Sequence, residues 1–315
     1  MKRKLLAVFC IMMMVISMTA CQKKDDKYVI GICQLVTHDA LDAATKGFKD
    51  TLIAEFGDKV VFKEQNAAND AAMCGTIATT FVSENVDLIM ANATPALQAA
   101  AAATGDIPIL GTSVTEYGVA LSLKDFNGTV GTNVSGTSDL APLKDQAAMV
   151  KAWFPEAKNV GLLYCSGEAN SQYQIDVMET ELKALGYTCT RYSFTDTNDV
   201  AQVTQNAAAN SDVIYVPTDN TVASNAALID GICQPAKVPI IAGEEGICKI
   251  AGVATLSISY YDLGVATGQM AIKILKGEAK IEEMPIEYAT ATAKYNADMC
   301  AALGITPVTG YEAIK

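Results

Sequence analysis

The chain has 315 residues, half of them hydrophobic, and a formal net charge of −12 at pH 7. Its length is typical of two lobes or domains, and its apolar content is enough for two hydrophobic cores. The acidic balance disfavours nucleic acids and anionic membrane surfaces as partners, because both are bound through basic patches.

Residues 1–20 have the pattern of a secretory signal. Three basic residues at positions 2–4 precede an apolar run over 5–16, which is too short to span a membrane comfortably, and Met18-Thr-Ala-Cys21 follows. A cysteine after Thr-Ala resembles a bacterial lipobox, so we expect Cys21 to be lipidated and to become the mature N-terminus, with residues 21–27 as a solvated tether. The alternative is a soluble secreted protein cut nearby. Loss of the three basic residues moves the net charge from −12 to −15.

Beyond the signal, Arg191 is the only arginine. A ligand carboxylate or phosphate held by a guanidinium is therefore nearly excluded. Seven cysteines remain after Cys10 and Cys21, an odd number without a C-x-x-C spacing. This favours neither a disulfide framework nor a zinc site, and we interpret most of them as small core residues. No metal or cofactor is predicted.

From Tyr28 onward, strand-like and helix-like segments alternate, which predicts parallel sheets covered on both faces. The same order occurs twice, and three of its junctions correspond. The alternative is one large α/β domain with accidental similarity. Predicted strands lie at 28–33, 60–64, 88–91 and 107–110, then at 159–164, 189–194, 212–216 and 238–241; predicted helices lie at 40–56, 70–83, from 94, 171–185, 200–209, 223–232 and 263–277.

We therefore predict two similar doubly wound lobes joined by hinge crossings. Residues 28–138 plus 264–290 form the N-terminal lobe, and residues 139–263 plus 291–315 form the C-terminal lobe. In such sheets ligands bind outside the carboxyl ends of the strands. Two facing lobes then form a cleft that closes by hinge motion.

The turn after the strand at 88 is the first candidate for ligand contact. Thr94 is predicted as the N-cap and Pro95 as the first residue of an alanine-rich helix. A helix start favours anions, because its N–H groups lack intrahelical partners and the helix dipole is positive there. An ordinary capped helix that binds nothing is the alternative.

Several segments are similar to the TrpX-like substrate-binding lipoproteins of ABC importers. The most specific is Val216-Pro-Thr-Asp-Asn-Thr-Val-Ala-Ser224; others lie at 30–42, 93–96, 133–139, 168–171 and 254–264. The resemblance covers essentially the whole mature chain. It implies a type I periplasmic-binding-protein fold, permease subunits as partners, and an aromatic L-amino acid (Trp, Phe or Tyr) as ligand. Ser113-Val-Thr-Glu-Tyr117 departs from the family, which often continues with Asp-Pro there.

The loops of the two lobes differ in chemistry, which suits a zwitterion. We expect its carboxylate to contact N–H groups around Thr94–Ala96 and the hydroxyls of Thr94 and Thr115. Its ammonium is expected to pair with Asp219, or with Glu244 as second choice. Helix capping is the alternative for Thr94 and Asp219, a helix-start role for Glu168 and Ser171, and solvation for Glu244. The predicted ligand-binding set is Gln34, Val36, Thr37, Thr94, Pro95, Ala96, Thr115, Tyr117, Ser138, Asp139, Glu168, Asn170, Ser171, Thr218, Asp219, Asn220, Glu244 and Tyr260.

An aromatic ligand requires apolar walls, for which Val36, Tyr117 and Tyr260 are candidates. Trp153 is interpreted as packing, and His38 is expected near the cleft. A secreted enzyme is disfavoured because the sequence has no G-x-S-x-G, G-x-G-x-x-G, Walker or metal-ligand spacing. Open alternatives are a nucleoside- or sugar-binding protein and a signalling receptor module. We expect a monomer.

Overall fold

The first of two sheets contains six parallel strands. The structure is a computed structural model that describes residues 27–314. The strand order is β11-β5-β4-β3-β1-β2. The strands are β1 (Tyr28–Gln34), β2 (Val60–Asn66), β3 (Leu88–Asn92), β4 (Ile109–Val114), β5 (Val134–Ser138) and β11 (Glu287–Tyr288); the helices packed on this sheet are α1 (Asp39–Phe56), α2 (Ala71–Ser83), α3 (Thr94–Ala103), α4 (Tyr117–Ala120) and α11 (Tyr260–Leu275).

The second sheet has seven strands in the order β13-β12-β10-β9-β8-β6-β7, with β10 and β12 antiparallel and the other pairs parallel. The strands are β6 (Asn159–Cys165), β7 (Thr188–Phe194), β8 (Val213–Val216), β9 (Ile240–Ala242), β10 (Ala254–Ser257), β12 (Thr292–Tyr295) and β13 (Glu312–Ala313); the helices are α5 (Leu143–Trp153), α6 (Ala169–Ala184), α7 (Val200–Asn210), α8 (Asn220–Ser224), α9 (Ala226–Cys233), α10 (Glu245–Ala251) and α12 (Ala297–Leu303).

The prediction of two doubly wound α/β lobes is confirmed. Each sheet carries a buried apolar cluster on both faces, as strands covered by helices on two sides require. The predicted boundaries between the lobes stay a prediction. Near the end of the chain, strand β11 joins the first sheet and the next strand, β12, joins the second.

Some predicted elements are corrected. The strand placed at 107–110 is β4, which begins two residues later and extends to Val114. The helix placed at 223–232 is divided into α8 and α9 at Asn225. The β5, α10 and β10 segments were not predicted, because their apolar runs are short or interrupted by polar residues.

Helix α11 is distant in sequence from the first lobe but packs directly on α1. A Cβ atom added at Gly264 would lie 2.0 Å from the Ala44 carbonyl oxygen, and one at Gly47 would lie 2.1 Å from that of Tyr261. Only glycine permits this approach, so the two glycines hold α11 in direct contact with α1.

Within residues 27–314, no helix is long and apolar enough to cross a membrane. In the same range, no group of three or more His, Cys, Asp or Glu side chains is arranged to hold a metal ion. The predicted signal peptide and lipidated Cys21 lie outside the described residues.

Candidate functional site

The carboxyl ends of the two parallel sheets face each other across a closed cleft. Two hydrogen bonds join the lobes: His38 Nε2 lies 3.3 Å from Asn220 Oδ1, and Asn69 Nδ2 donates to Thr221 Oγ1 at 3.1 Å. Burial lowers the pKa of His38, so this bridge is made by a neutral imidazole. Both lobes also line a cavity of about 200 Å³ beside His38. The sequence-predicted loops of both lobes are thus brought together.

The start of α3 differs from the prediction. The N-cap is Ala93, whose carbonyl accepts from Leu97, so Thr94 and Pro95 are the first two helical residues. Ala93 has φ 91° and ψ 158°, a conformation nearly restricted to glycine. The Thr94 hydroxyl is buried and caps nothing, and it has no hydrogen-bond partner among the described residues. Half-buried Pro95 and buried Ala96 complete this turn.

The end of β4 supplies a second unpaired hydroxyl. Ser113 has φ 53° and its buried Oγ has no partner within residues 27–314. Thr115 is buried close to the carboxyl of Asp139, and its predicted contact with a ligand carboxylate stays a prediction. Ser138 Oγ donates to the Thr115 carbonyl at 2.8 Å and accepts from Leu140 N. Ser138 therefore stabilises the backbone that follows β5.

Asp139 directly follows β5 and is 3 % exposed. The Tyr260 hydroxyl donates to its Oδ2 at 3.0 Å, while its Oδ1 has no partner among the described groups. Burial raises the pKa of Asp139 to about 6, and the hydroxyls of Thr115 and Tyr260 oppose the rise. One carboxylate oxygen is therefore held by the protein and the other is available for a cation.

Asp219 has a structural role that replaces the predicted one. Its Oδ1 accepts from Val222 N at 2.8 Å and caps α8, while Oδ2 accepts from Cys165 N at 2.7 Å and ties α8 to the end of β6. Burial and the nearby Glu168 carboxylate raise its pKa. Both oxygens already have main-chain donors, so we revise the prediction that Asp219 pairs with the ligand ammonium.

Glu244, the second choice for the ammonium, is revised in the same way. Its carboxylate accepts from Gly246 N and Ile247 N and caps α10. It is buried rather than solvated, and burial raises its pKa to about 7. Glu245, its neighbour, forms an ion pair with Lys294 at 2.5 Å.

Glu168 organises the start of α8. Its Oε1 accepts from the main-chain N–H and the hydroxyl of Thr221, and its Oε2 accepts from the main chain and the amide of Asn220. Those two residues make the contacts to the other lobe, to His38 and Asn69. Glu168 therefore supports lobe closure.

Asn170, Ser171 and Thr218 lie together at the ends of β6 and β8. The Asn170 amide donates to Glu168 Oε2, Ser171 Oγ and the Thr218 carbonyl, and its Oδ1 has no partner in the described chain. Ser171 is fully buried and lies close to Asp219, where its hydroxyl opposes the rise of the Asp219 pKa. The Thr218 hydroxyl donates to the Gly243 carbonyl at 3.3 Å.

The loop after β1 is held by a polar network beneath it. The Gln34 amide donates to the Val36 carbonyl at 2.9 Å and to Asp42 at 2.6 Å, and its oxygen accepts from Thr45. Gln34 therefore positions the loop. Half-buried Val36 packs against the core of the first lobe, and exposed Thr37 lines the cavity beside His38.

Asn92, a residue we did not predict, also contacts Thr45, and its Oδ1 is buried without a partner in residues 27–314. The signal for it was a polar residue at the end of an apolar strand.

We predicted Tyr117 as part of the cleft wall, but its side chain is buried inside the first lobe. Its ring is 1 % exposed, packs over Gly111 and Gly136, and donates its hydroxyl to the Thr137 carbonyl at 3.0 Å. Glu116 caps the short α4 that directs the ring inward. Tyr260 remains beside the cleft through its bond to Asp139.

Side chains that the sequence placed outside the site are accounted for by packing and surface pairing. Trp153 is buried against Tyr311. Arg191 pairs with Asp176 and Glu179 on the surface of the second lobe. The seven cysteines between residues 27 and 314 are unpaired, and six of them are buried.

Comparison with known proteins gives a consistent result. Residues 29–307 match the family model of the ABC transporter substrate binding protein. A protein of Clostridioides difficile named tyrosine-binding protein is 38% identical over 263 residues, which cover 82% of this chain and 75% of that protein.

Two solved structures are similar over most of the chain. An ABC domain from Streptococcus pneumonia in complex with L-Trp has a TM-score of 0.86 at 33% identity, covering 91% of this chain and all of that one. The ligand-free, open structure of a substrate-binding protein with adhesive properties from Clostridium difficile has a TM-score of 0.69 at 37% identity, covering 91% and 99%.

A sugar-transporter subunit of Rhodobacter sphaeroides, 14% identical with a TM-score of 0.63, shares the fold alone. The predicted resemblance and the type I periplasmic-binding fold are therefore confirmed. Members of this family are substrate-binding proteins rather than enzymes. The chain belongs to the ABC transporter substrate-binding protein family.

Proposed function

We propose that this protein captures an aromatic L-amino acid in the inter-lobe cleft and delivers it to the permease subunits of an ABC importer. One observation carries the proposal. Buried polar atoms without a partner among the described residues lie at the ends of three neighbouring strands of the first sheet, β3, β4 and β5: the hydroxyls of Thr94 and Ser113, and a carboxylate oxygen of Asp139. Buried polar groups are usually paired in native proteins, so these three atoms are suited to a ligand of complementary chemistry.

The two hydroxyls are suited to the ligand carboxylate. They lie beside the first turn of α3, whose N–H groups have no intrahelical acceptors. Asp139 Oδ1 is suited to the ammonium, because a carboxylate with a free lone pair accepts a strong charge-assisted hydrogen bond. The proposed ammonium partner is therefore Asp139 rather than Asp219 or Glu244.

Backbone strain supports the same location. Ala93, which precedes Thr94, has a φ of 91°, and Ser113 itself has a φ of 53°. Strained residues cost on the order of 1–3 kcal/mol each and are concentrated at ligand sites. This strain fits a carboxylate site that is formed before the ligand arrives.

The lobes have the arrangement of a liganded relative. The chain is closer in shape to the complex with L-Trp than to the ligand-free, open structure, although its identity to the open one is higher. The inter-lobe bonds of His38 and Asn69 belong to this closed arrangement.

The relatives favour an aromatic side chain, since one is named for tyrosine and another binds L-Trp. An aromatic side chain buries roughly 150–250 Å², an upper limit of about 4–6 kcal/mol at about 25 cal/mol per Å². With both charged ends held, an affinity in the micromolar range, about −8 kcal/mol, is expected after the costs of association.

The remaining parts of the proposal concern location and assembly. Proteins of this family act outside the cytoplasm; attachment through a lipidated Cys21 and a monomeric state are proposed. We also propose residues 28–138 plus 264–290 and residues 139–263 plus 291–315 as the two lobes. This division agrees with the membership of β11 and β12 in separate sheets.

Isothermal titration with the twenty amino acids, common nucleosides and sugars tests the ligand class. We expect one-to-one binding of Trp, Phe or Tyr at micromolar or lower concentration, and no heat from nucleosides or sugars. A clear nucleoside or sugar signal without any aromatic amino acid would overturn the proposal.

A further inference from the structure

On the predicted cleft loops of the second lobe, one buried polar atom is not used by the two charged ends of the proposed ligand. It is Oδ1 of Asn170, on the first turn of α6 in the second lobe. The residue is 4 % exposed. The carboxylate and ammonium already have partners in Thr94, Ser113 and Asp139, so Asn170 is available to the ligand side chain.

The orientation of the Asn170 amide is fixed by its neighbours. Its nitrogen lies 3.2 Å from Glu168 Oε2, 3.3 Å from Ser171 Oγ and 3.2 Å from the Thr218 carbonyl. A carboxylate and a carbonyl only accept hydrogen bonds, so the atom facing them must be the NH₂ group. The other end of the amide, Oδ1, is buried and has no hydrogen-bond partner among the described residues.

An amide oxygen can only accept. We infer that Asn170 is a specificity-determining residue: its Oδ1 accepts a hydrogen bond from the ring of the ligand and so selects aromatic side chains that carry a donor. The indole N–H of Trp and the phenol O–H of Tyr are such donors, and Phe has none. This inference rests on the proposed function, since it concerns the side chain of the same ligand.

The energetic argument is one of unpaired groups. When a ligand without a donor closes the cleft, Asn170 Oδ1 stays buried and loses any contact with water. Leaving a buried acceptor unpaired costs about 1–3 kcal/mol, and sites built for a substrate O–H or N–H reject analogues that lack it. A preference of about tenfold or more for donor-bearing rings is expected from one such bond.

Ligand pairs that differ in this donor test the inference on the unchanged protein. Titration compares L-Trp with L-3-benzothienylalanine, in which sulfur replaces the indole N–H, and L-Tyr with L-Phe. Within a pair that binds, we expect the amino acid whose ring carries a donor to bind at least tenfold more tightly than the one whose ring has none. Equal affinities within a pair that binds would overturn the inference while leaving the proposed function intact, whereas no binding of any aromatic amino acid would overturn both.

The variant Asn170→Ala assigns the preference to this residue. It also removes bonds to Glu168 and Thr218, so the readout is the ratio of affinities within each pair and not the absolute value. We expect the ratio to fall to within about threefold in Asn170→Ala and to be preserved in the control Thr94→Val, which weakens both members equally. A ratio that is unchanged in Asn170→Ala would overturn the inference, whatever the change in absolute affinity.

Discussion

The starts of α3 and α8 occupy corresponding places in the two lobes but are built in opposite ways. In the second lobe, Asp219 caps α8 and both of its oxygens are bonded to the main chain. In the first lobe, α3 has no side-chain cap, Ala93 is strained, and the hydroxyl of Thr94 is left unpaired. At these two helix starts, the acidic side chain of Asp219 therefore serves the fold, whereas the hydroxyl of Thr94 is free for a ligand.

The reason is the cost of burying charge. A buried carboxylate must have hydrogen-bond donors, and the N–H groups of a helix start supply two or three of them. Asp219, Glu244 and Glu168 each take this solution. Asp139 is the exception, because its Oδ1 has no donor among the described residues.

The strongest test of this difference is Asp139→Asn. Loss of the partner of a buried ammonium is expected to weaken amino-acid binding by about 3 kcal/mol, more than a hundredfold. Titration calorimetry measures the affinity. Because the raised pKa shows that the charge is destabilising in the free protein, unliganded Asp139→Asn is expected to be as stable as the parent or more so at pH 8. Binding within threefold of the parent would assign the ammonium elsewhere.

Asp219→Ala tests the other side of the comparison. Loss of the cap and of the bond to Cys165 N is expected to lower the free energy of unfolding by about 2 kcal/mol, measured by urea denaturation. The affinity of the folded protein should change less than in Asp139→Asn. Unchanged stability with lost affinity would restore Asp219 as the partner of the ammonium.

Thr94→Val is the matched change in the first lobe. Since the hydroxyl caps nothing, we expect the stability to stay within about 0.5 kcal/mol of the parent. Affinity should fall about tenfold, the worth of a hydrogen bond to a charged group. A loss of stability like that of Asp219→Ala would show that the two helix starts do not differ.

The sequence predicted the fold better than the site, for a physical reason. Apolar alternation and the repeated junctions identify two doubly wound lobes, because burial of strands dictates that pattern. The same residue types can cap a helix or bind a ligand: Asp219 is a cap in the structure, whereas Thr94, which we predicted as a cap as well as a ligand contact, is not. What decides between these roles is backbone geometry: φ of 91° at Ala93 makes that residue the cap, and no local pattern predicts it.

Tyr117 illustrates the same limit at longer range. Its aromatic ring suits a ligand wall by composition, yet the absence of side chains at Gly111 and Gly136 opens a space for it inside the first lobe. That complementarity joins residues from three separate segments. The contact of Asn69 with Thr221, 152 positions away, was equally invisible in the sequence.

The pH dependence of binding distinguishes Asp139 from the capping carboxylates. Its pKa of about 6 in the folded protein lies above the ordinary 3.8, so its contribution to unliganded stability is present below pH 4 and is lost as pH rises through 6. Ligand binding has the opposite slope because it uses the carboxylate. We expect the Kd to rise about tenfold from pH 7 to pH 5, and Asp139→Asn to remove this component. A slope that persists in Asp139→Asn and disappears in Glu244→Gln would assign it to Glu244, whose pKa is about 7.

The smallest expected effect concerns the bonds that hold the two lobes together. Asn69→Ala removes the bond to Thr221 Oγ1, and His38→Ala removes that to Asn220. Both bonds exist only when the lobes are closed, so each change should destabilise the closed form by about 0.5–1 kcal/mol and raise the ligand dissociation rate about threefold. Stopped-flow fluorescence measures the rate, and the exposed Asn210→Ala, which bonds only within its own helix, is the control. Faster association without faster dissociation would show that these bonds form before the ligand is bound, and that the free protein is already closed.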